Sequence, residues 1–199
     1  MKRIFLLLSL FMFGPVSPAW ADVVPPDELV KDTSQRMIEV LRDKQEELKA
    51  DPGLIYSLVD QILLPHFDFV AMSRLVLGKH WKEASREQRK RFVEEFRTML
   101  VRTYASALNQ YHDQEIEYLP VQISKNGKNA LVRTEVKQGG SFPIPINYRL
   151  RLRKTGWKVF DVTVDGISLV TNYRSSFGAE IRKSGIGKLI AMLEERNKE

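Results

Sequence analysis

The chain has 199 residues, 43% of them hydrophobic, enough to bury the core of one domain, and it has no cysteine. That excludes disulfide staples, thiol catalysis and thiolate metal sites, so stability rests on packing. A formal charge of +6, from 31 Lys and Arg against 25 Asp and Glu, is too dilute for nucleic-acid binding; it suits weak, salt-sensitive attraction to anionic surfaces or acidic proteins.

Lys2 and Arg3 precede an apolar run from Ile4 to Phe13 that is too short to span a bilayer. Gly14 and Pro15 break it, and Ala19-Trp20-Ala21 has the A-x-A form of a signal-peptidase site. Residues 1–21 therefore read as a cleaved secretory signal. With no cysteine after the cut, no lipid anchor is expected. Residues 22–199 read as a single domain, whose charge falls to +4 because the removed segment holds two bases and no acid. Its 22–85 part is mostly helical; 86–199 holds a long helix, a sheet and C-terminal helices.

Pro25-Pro26 opens a first helical segment, with Leu29, Thr33, Met37, Val40, Leu41 and Leu48 at helical spacing until Asp51-Pro52-Gly53. A second helix carries Leu54, Ile55, Leu58, Val59, Ile62 and Leu63 and stops at Pro65. A third runs from Asp68, its expected cap, to Gly78. Ser85-x-x-Gln88 is a capping box for the fourth and longest helix, whose apolar face includes Phe92, Phe96, Met99, Leu100 and Tyr104.

Residues 115–123, 129–137, 142–153 and 157–164 read as four antiparallel strands. Lys125-Asn126-Gly127-Lys128, Gln138-Gly139-Gly140-Ser141 and Lys154-Thr155-Gly156 supply the turns. In the third strand Phe142, Ile144, Ile146, Tyr148, Leu150 and Leu152 share one face, and Arg149, Arg151 and Arg153 the other. Helices at 166–183 and 186–197 close the chain. This order argues for an α+β fold. A curved four-stranded antiparallel sheet packed by helices tends to keep a pocket between its layers, as NTF2-like folds do.

Polar chemistry is sparse. His66, His80 and His112 lie near helix ends without metal-ligand spacing, so capping or surface packing is their expected role. Asp161, between Phe160 and Val162, is the one candidate general base. Strict alternation turns it away from those two neighbours and toward Arg149, Arg151 or Arg153, which argues for an ion pair instead. No phosphate-binding glycine loop or nucleophile motif is present. Arg86, Arg89, Lys90, Arg91 and Arg97 form a basic helix face that is either solvated or a docking surface for an acidic partner or bilayer. From Trp157 to Phe177 there is more apolar surface than one strand and one helix turn need, so it fills a core or lines a cavity.

Three stretches carry a family resemblance. They are His66-Phe67-Asp68-Phe69 with Met72-Ser73-Arg74-Leu75-Val76-Leu77-Gly78-Lys79-His80-Trp81, the long helix from Gln88 to Tyr104, and Trp157-Lys158-Val159-Phe160-Asp161-Val162 through Gly166-Ile167-Ser168-Leu169-Val170 to Tyr173-Arg174-Ser175-Ser176-Phe177. In this order they resemble the toluene-tolerance family, the periplasmic phospholipid shuttles of the Mla (maintenance of lipid asymmetry) pathway. The resemblance implies an NTF2-like fold with an added helical subdomain, enclosing a deep apolar cavity for acyl chains with the head group near solvent. It implies docking to an inner-membrane ABC transporter complex with an MCE-domain ring and to an outer-membrane lipoprotein–porin complex. It implies no enzyme activity, no metal and no cofactor beyond bound phospholipid as cargo. A soluble shuttle needs no oligomer, so a monomer is expected.

The residues assigned to the cavity lining are Tyr104, Leu108, Ile146, Tyr148 and Leu150, then Val162, Val164, Ile167, Val170 and Tyr173, with plain core packing the alternative for each. Tyr148 and Tyr173 would bring hydroxyls to the glycerol or phosphate region. Arg174 would touch phosphate or make a structural salt bridge. Carrying lipid through water needs apolar surface rather than catalytic groups, since each exposed methylene costs about 0.8 kcal/mol. Two other readings use the same residues: an NTF2-like enzyme on a small apolar substrate with Asp161 as base, and a periplasmic chaperone or adaptor with an open apolar groove.

Overall fold

The computed structural model describes residues 23–108, 114–137 and 142–198. The expected signal segment, His112 and the Gln138–Ser141 turn lie outside these residues. Helix α1 (Pro26–Asp43) begins with proline where no amide donor is needed, and sets Asp27 and Glu28 against the positive helix end. Lys44 interrupts the run, and α2 (Gln45–Ala50) continues it. Helix α3 (Leu54–Ile62) passes into a single 3-10 turn, Leu64–His66, around Pro65. Asp68 caps α4 (Phe69–Leu77): the Ala71 amide donates to its Oδ1 at 2.8 Å. Gly78 ends α4 at φ 54°. A short α5 (His80–Glu83), absent from the periodicity reading, follows. The capping box then closes in both directions, Ser85 N to Gln88 Oε1 at 2.9 Å and Gln88 N to Ser85 Oγ at 3.1 Å, and opens α6 (Arg86–Leu108).

The strands are β1 (Glu115–Tyr118), β2 (Gln122–Ile123), β3 (Asn129–Lys137), β4 (Ile144–Arg153), β5 (Gly156–Val164) and β6 (Ile167–Ser168). They form one open antiparallel sheet in the order β1-β3-β4-β5-β6, with β2 on the same edge of β3 as β1. The expected four strands become six because Leu119-Pro120 breaks the first and the Asp165-Gly166 turn folds a short return strand onto β5. Helices α7 (Leu169–Ser184) and α8 (Ile186–Arg196) meet at Gly185, which holds φ 82°. The molecule is thus α+β, an open antiparallel sheet packed by helices.

Register sorts the sheet into two faces. Ile144, Ile146, Tyr148 and Leu150 of β4 oppose Val136, Thr134, Val132 and Ala130 of β3, one continuous apolar face. Arg149, Arg151 and Arg153 share the other, as alternation predicts. Phe142 departs from the prediction: it precedes β4 and is 94% exposed. A bulge decides the rest. Arg149 pairs with Asp161 but Leu150 pairs with Val159, so Phe160 is an extra residue. Trp157, Val159 and Val162 therefore all reach the apolar face, while Phe160 joins Asp161 on the arginine face. The expectation that Asp161 points opposite both Phe160 and Val162 is corrected accordingly.

Three apolar clusters follow from this layout. Helices α4, α6, α7 and α8 pack around Phe92 and Phe96, both fully buried, with Phe160 plugged in from the sheet. The ends of α1, α3 and α6 share Met37, Leu41, Ile55, Leu58 and Ala105. The apolar sheet face holds Val132, Leu150, Trp157, Val159 and Val162 against Val30 of α1.

Candidate functional site

The apolar sheet face is only partly filled by α1, and a crevice of about 170 Å³ remains between them. From α1 come Leu29, Val30, Thr33, Ser34, Met37, Ile38 and Leu41. From below come Ile116, Ile146, Tyr148 and Val159 of the sheet, and Leu63, His66, Phe67 and Leu108 close the sides. Drug-sized ligands occupy pockets of roughly 300–1,000 Å³. The deep enclosed cavity expected from the sequence is therefore not open in this conformation. Two larger hollows, about 680 Å³ between α3 and α6 and about 420 Å³ beside the β4–β5 hairpin, are open surface grooves. Ion pairs rim them, Arg97 with Asp60 and Arg153 with Asp68, so they lack the dry apolar wall of the crevice.

Of the residues assigned to a cavity, Leu108, Ile146 and Tyr148 line the crevice. Leu150, Val162 and Val164 belong to the same sheet-face cluster beneath or beside it. The remaining four lie elsewhere. Tyr104 is 39% exposed on α6. Ile167 sits on the β5–β6 return, 61% exposed. Val170 and Tyr173 of α7 pack into the helical cluster on the opposite side of the sheet. The Tyr173 ring stands edge-on to Phe96, and burial, with the Tyr104 hydroxyl next, pushes its phenol up to about 12. The physical reason is topological: the tight turn at Asp165-Gly166, both at positive φ, sends α7 onto the arginine face. Arg174 lies against Gly78 at the end of α4, away from the crevice lining.

Asp161 is buried, 2% exposed, on the face away from the crevice. Its Oδ2 accepts from Ser168 Oγ at 2.8 Å and its Oδ1 from the Val170 amide at 3.1 Å, while Arg149 Nη1 stands 3.7 Å away. The carboxylate thus ties β5 to the start of α7. The anticipated arginine is present, but the group is interior rather than outward and solvated. Each of its oxygens accepts one of these bonds, so the carboxylate serves as an anchor between strand and helix.

Sequence reasoning passed over the α1 contribution and His66. The helical spacing of Leu29, Thr33, Met37 and Leu41 was visible; the surface that it covers was not. His66 is half-buried in the lining rather than a surface cap, and burial, followed by the charges of Lys158 and Arg36, holds its pKa below the ordinary histidine value. His80 is likewise largely covered, its side chain 13% exposed and its Nδ1 2.6 Å from Glu83 Oε2. Among the described residues no group of three or more His, Asp or Glu side chains is placed to hold a metal ion.

Residues 31–195 match the family model described as MlaC protein. Toluene tolerance protein Ttg2D of Pseudomonas putida is 29% identical over 161 residues, 80% of this chain and 74% of that one. The intermembrane phospholipid transport system binding protein MlaC of Haemophilus influenzae is 27% identical over 176 residues, 85% and 81% of the two chains. A solved phospholipid-binding protein of Ralstonia solanacearum, in complex with a phospholipid, superposes with a TM-score of 0.79 at 28% identity, over 86% of this chain and 96% of that one. With the match spanning helices, sheet and both terminal helices, the chain belongs to the MlaC protein family.

Proposed function

We propose that this protein binds phospholipid and carries it across the periplasm, exchanging it with an inner-membrane ABC transporter complex bearing an MCE-domain ring and an outer-membrane lipoprotein–porin complex. Residues 1–21 direct its export and are removed, and 22–199 act as one lipid-binding domain. The acyl chains enter between α1 and the apolar sheet face. The observation that carries the reading is that crevice, on a fold similar over most of its length to a protein solved with phospholipid bound.

The crevice must widen to take two acyl chains, and α1 is the element placed to yield. Its contact with the sheet is less uniformly apolar than the helical cluster. Thr33 and Ser34 lie in it, and the Tyr118 hydroxyl is buried beside Ser34 at a geometry short of a full hydrogen bond. Transfer of apolar chains into the widened space is driven by about 25 cal/mol per Å² removed from water. No catalytic group takes part.

Native mass spectrometry of protein isolated from the periplasm without detergent tests this. About one phospholipid per chain is expected. Ile146→Trp, which fills the crevice, should lower that occupancy severalfold, whereas Ile167→Trp, at an exposed position, should leave it unchanged. Protein that neither arrives with lipid nor loads from liposomes would overturn the reading.

A further inference from the structure

Charge is distributed unevenly along the sheet. Residues 119–134 and 142–160 contain no Asp or Glu, and six of their bases meet where the turn between β2 and β3 lies beside the β4–β5 hairpin. The Leu152 amide donates to the Lys128 carbonyl at 3.0 Å, which brings the two turns together. Lys125, Lys128 and Lys154 stand exposed on the turns themselves. Arg151 and Lys158 oppose each other across β4 and β5, and Arg153 opposes Gly156 at the hairpin end. The opposite end of the sheet carries Glu115, Glu117 and Glu135, with Lys137 tied to Glu117 at 2.9 Å.

Little neutralises the basic end from within. Among the described residues Asp68, 2.6 Å from Arg153, is the only acid within salt-bridge distance of any of the six bases. Like charges facing each other, as at Arg151 and Lys158, weaken a sheet. Arg151 is nevertheless fixed in place, 4.9 Å from the Phe160 ring centre with its Nε 3.3 Å from Asn129 Oδ1. The side chains of Lys125, Lys128 and Lys154 have no partner among the described residues. Two aliphatic side chains are exposed at the same end, Ile123 at 51% and Leu152 at 36%. A protruding end with unfixed ammonium groups around exposed aliphatic side chains matches the interface of an anionic bilayer, where head-group charge is diffuse and acyl chains lie just beneath. Docking to an acidic protein asks instead for charges held in one register, which the turn lysines lack.

We propose that this turn end of the sheet docks the protein on anionic phospholipid bilayers. Among the described residues the crevice lining holds none of the six bases, so the surface is separate from the cargo site and goes beyond cargo binding.

Co-sedimentation of the exported protein with vesicles tests it. Vesicles containing phosphatidylglycerol should pull the protein down at low ionic strength, pure phosphatidylcholine vesicles should not, and added salt should release it. Lys128 immediately precedes β3 and Lys137 ends it, so reversing either changes the net charge equally at opposite ends of one strand. Lys128→Glu should lower the affinity about tenfold, since each base near an anionic surface contributes about a fivefold factor and reversal adds repulsion. Lys137→Glu should change it by less than about twofold. Both positions are exposed, so both variants should fold. Ile146→Trp, which fills the crevice, should sediment like the wild-type chain; a folded Ile146→Trp that stays in solution would reduce sedimentation to cargo entry and overturn the docking surface. Equal losses in the two lysine variants would reduce the effect to net charge and overturn it too, as would wild-type protein that remains in the supernatant. Retention on immobilised polyglutamate without sedimentation would assign the end to an acidic polypeptide and overturn bilayer docking. None of these results touches the carrier reading, which rests on lipid occupancy.

Discussion

A residue's surroundings, more than its type, set what it does here. Asp161 was the one candidate base, with an ion pair to a strand arginine the favoured reading; Arg149 does stand 3.7 Å away, and the two oxygens also accept from Ser168 and the Val170 amide. Asp161→Ala should cost about 2–4 kcal/mol in urea denaturation, because buried donors lose their acceptor. The lipid content of the molecules that remain folded should not change. His66 makes the opposite case, a surface cap in expectation and a half-buried lining residue in the fold. Its native pKa is depressed, so the unfolded chain binds the proton first as pH falls below about 6.5. Stability should therefore be level above that pH and decline below it, toward the native pKa. His66→Gln should flatten that part of the curve in melting experiments between about pH 5 and 8.

Elements were legible where local chemistry specifies them. Ser85 and Gln88 announced α6, and the period-2 pattern of β4 announced its two faces, because caps and pleats are set by neighbours a few residues apart. The β5 bulge was not legible. Phe160 is as apolar as the residues flanking it, so nothing local marks it as the extra one, and its insertion reverses the side that Phe160 takes. The same limit applies to α7, whose amphipathic pattern suits either side of the sheet. Gly78 shows how tightly α4 and α7 then fit: it holds φ 54°, and a Cβ there would come within 3.1 Å of Arg174 Nη2. Gly78→Ala should cost about 1–2 kcal/mol, mostly from backbone strain since the arginine end can shift, and chemical denaturation would register it.

At the scale of the molecule, the sheet divides two kinds of packing. The arginine face meets a tight aromatic cluster, Phe92, Phe96, Tyr173 and Phe177, suited to a permanent core. The other face meets α1 across a partly polar contact with a crevice in it. Restricting α1 should therefore block cargo entry without unfolding the protein. Ser34→Cys with Tyr118→Cys, joined by a short bifunctional thiol reagent, should abolish loading from liposomes, and the uncross-linked pair should load. The chain has no cysteine of its own, so the cross-link is specific.

Composition, caps, turn residues and hydrophobic period already determined the α+β class, most of the element boundaries and the missing thiol chemistry, since each depends on residue types at short spacing; the family rested instead on the resemblance of three motif stretches. Which apolar residues become core and which line the crevice was decided only by tertiary structure. Leu108, Ile146 and Tyr148 reach the α1 side while Val170 and Tyr173 are carried to the other. A hydrophobic face states that it must be covered; only the bulge, the Asp165-Gly166 turn and the path of α1 decide by what.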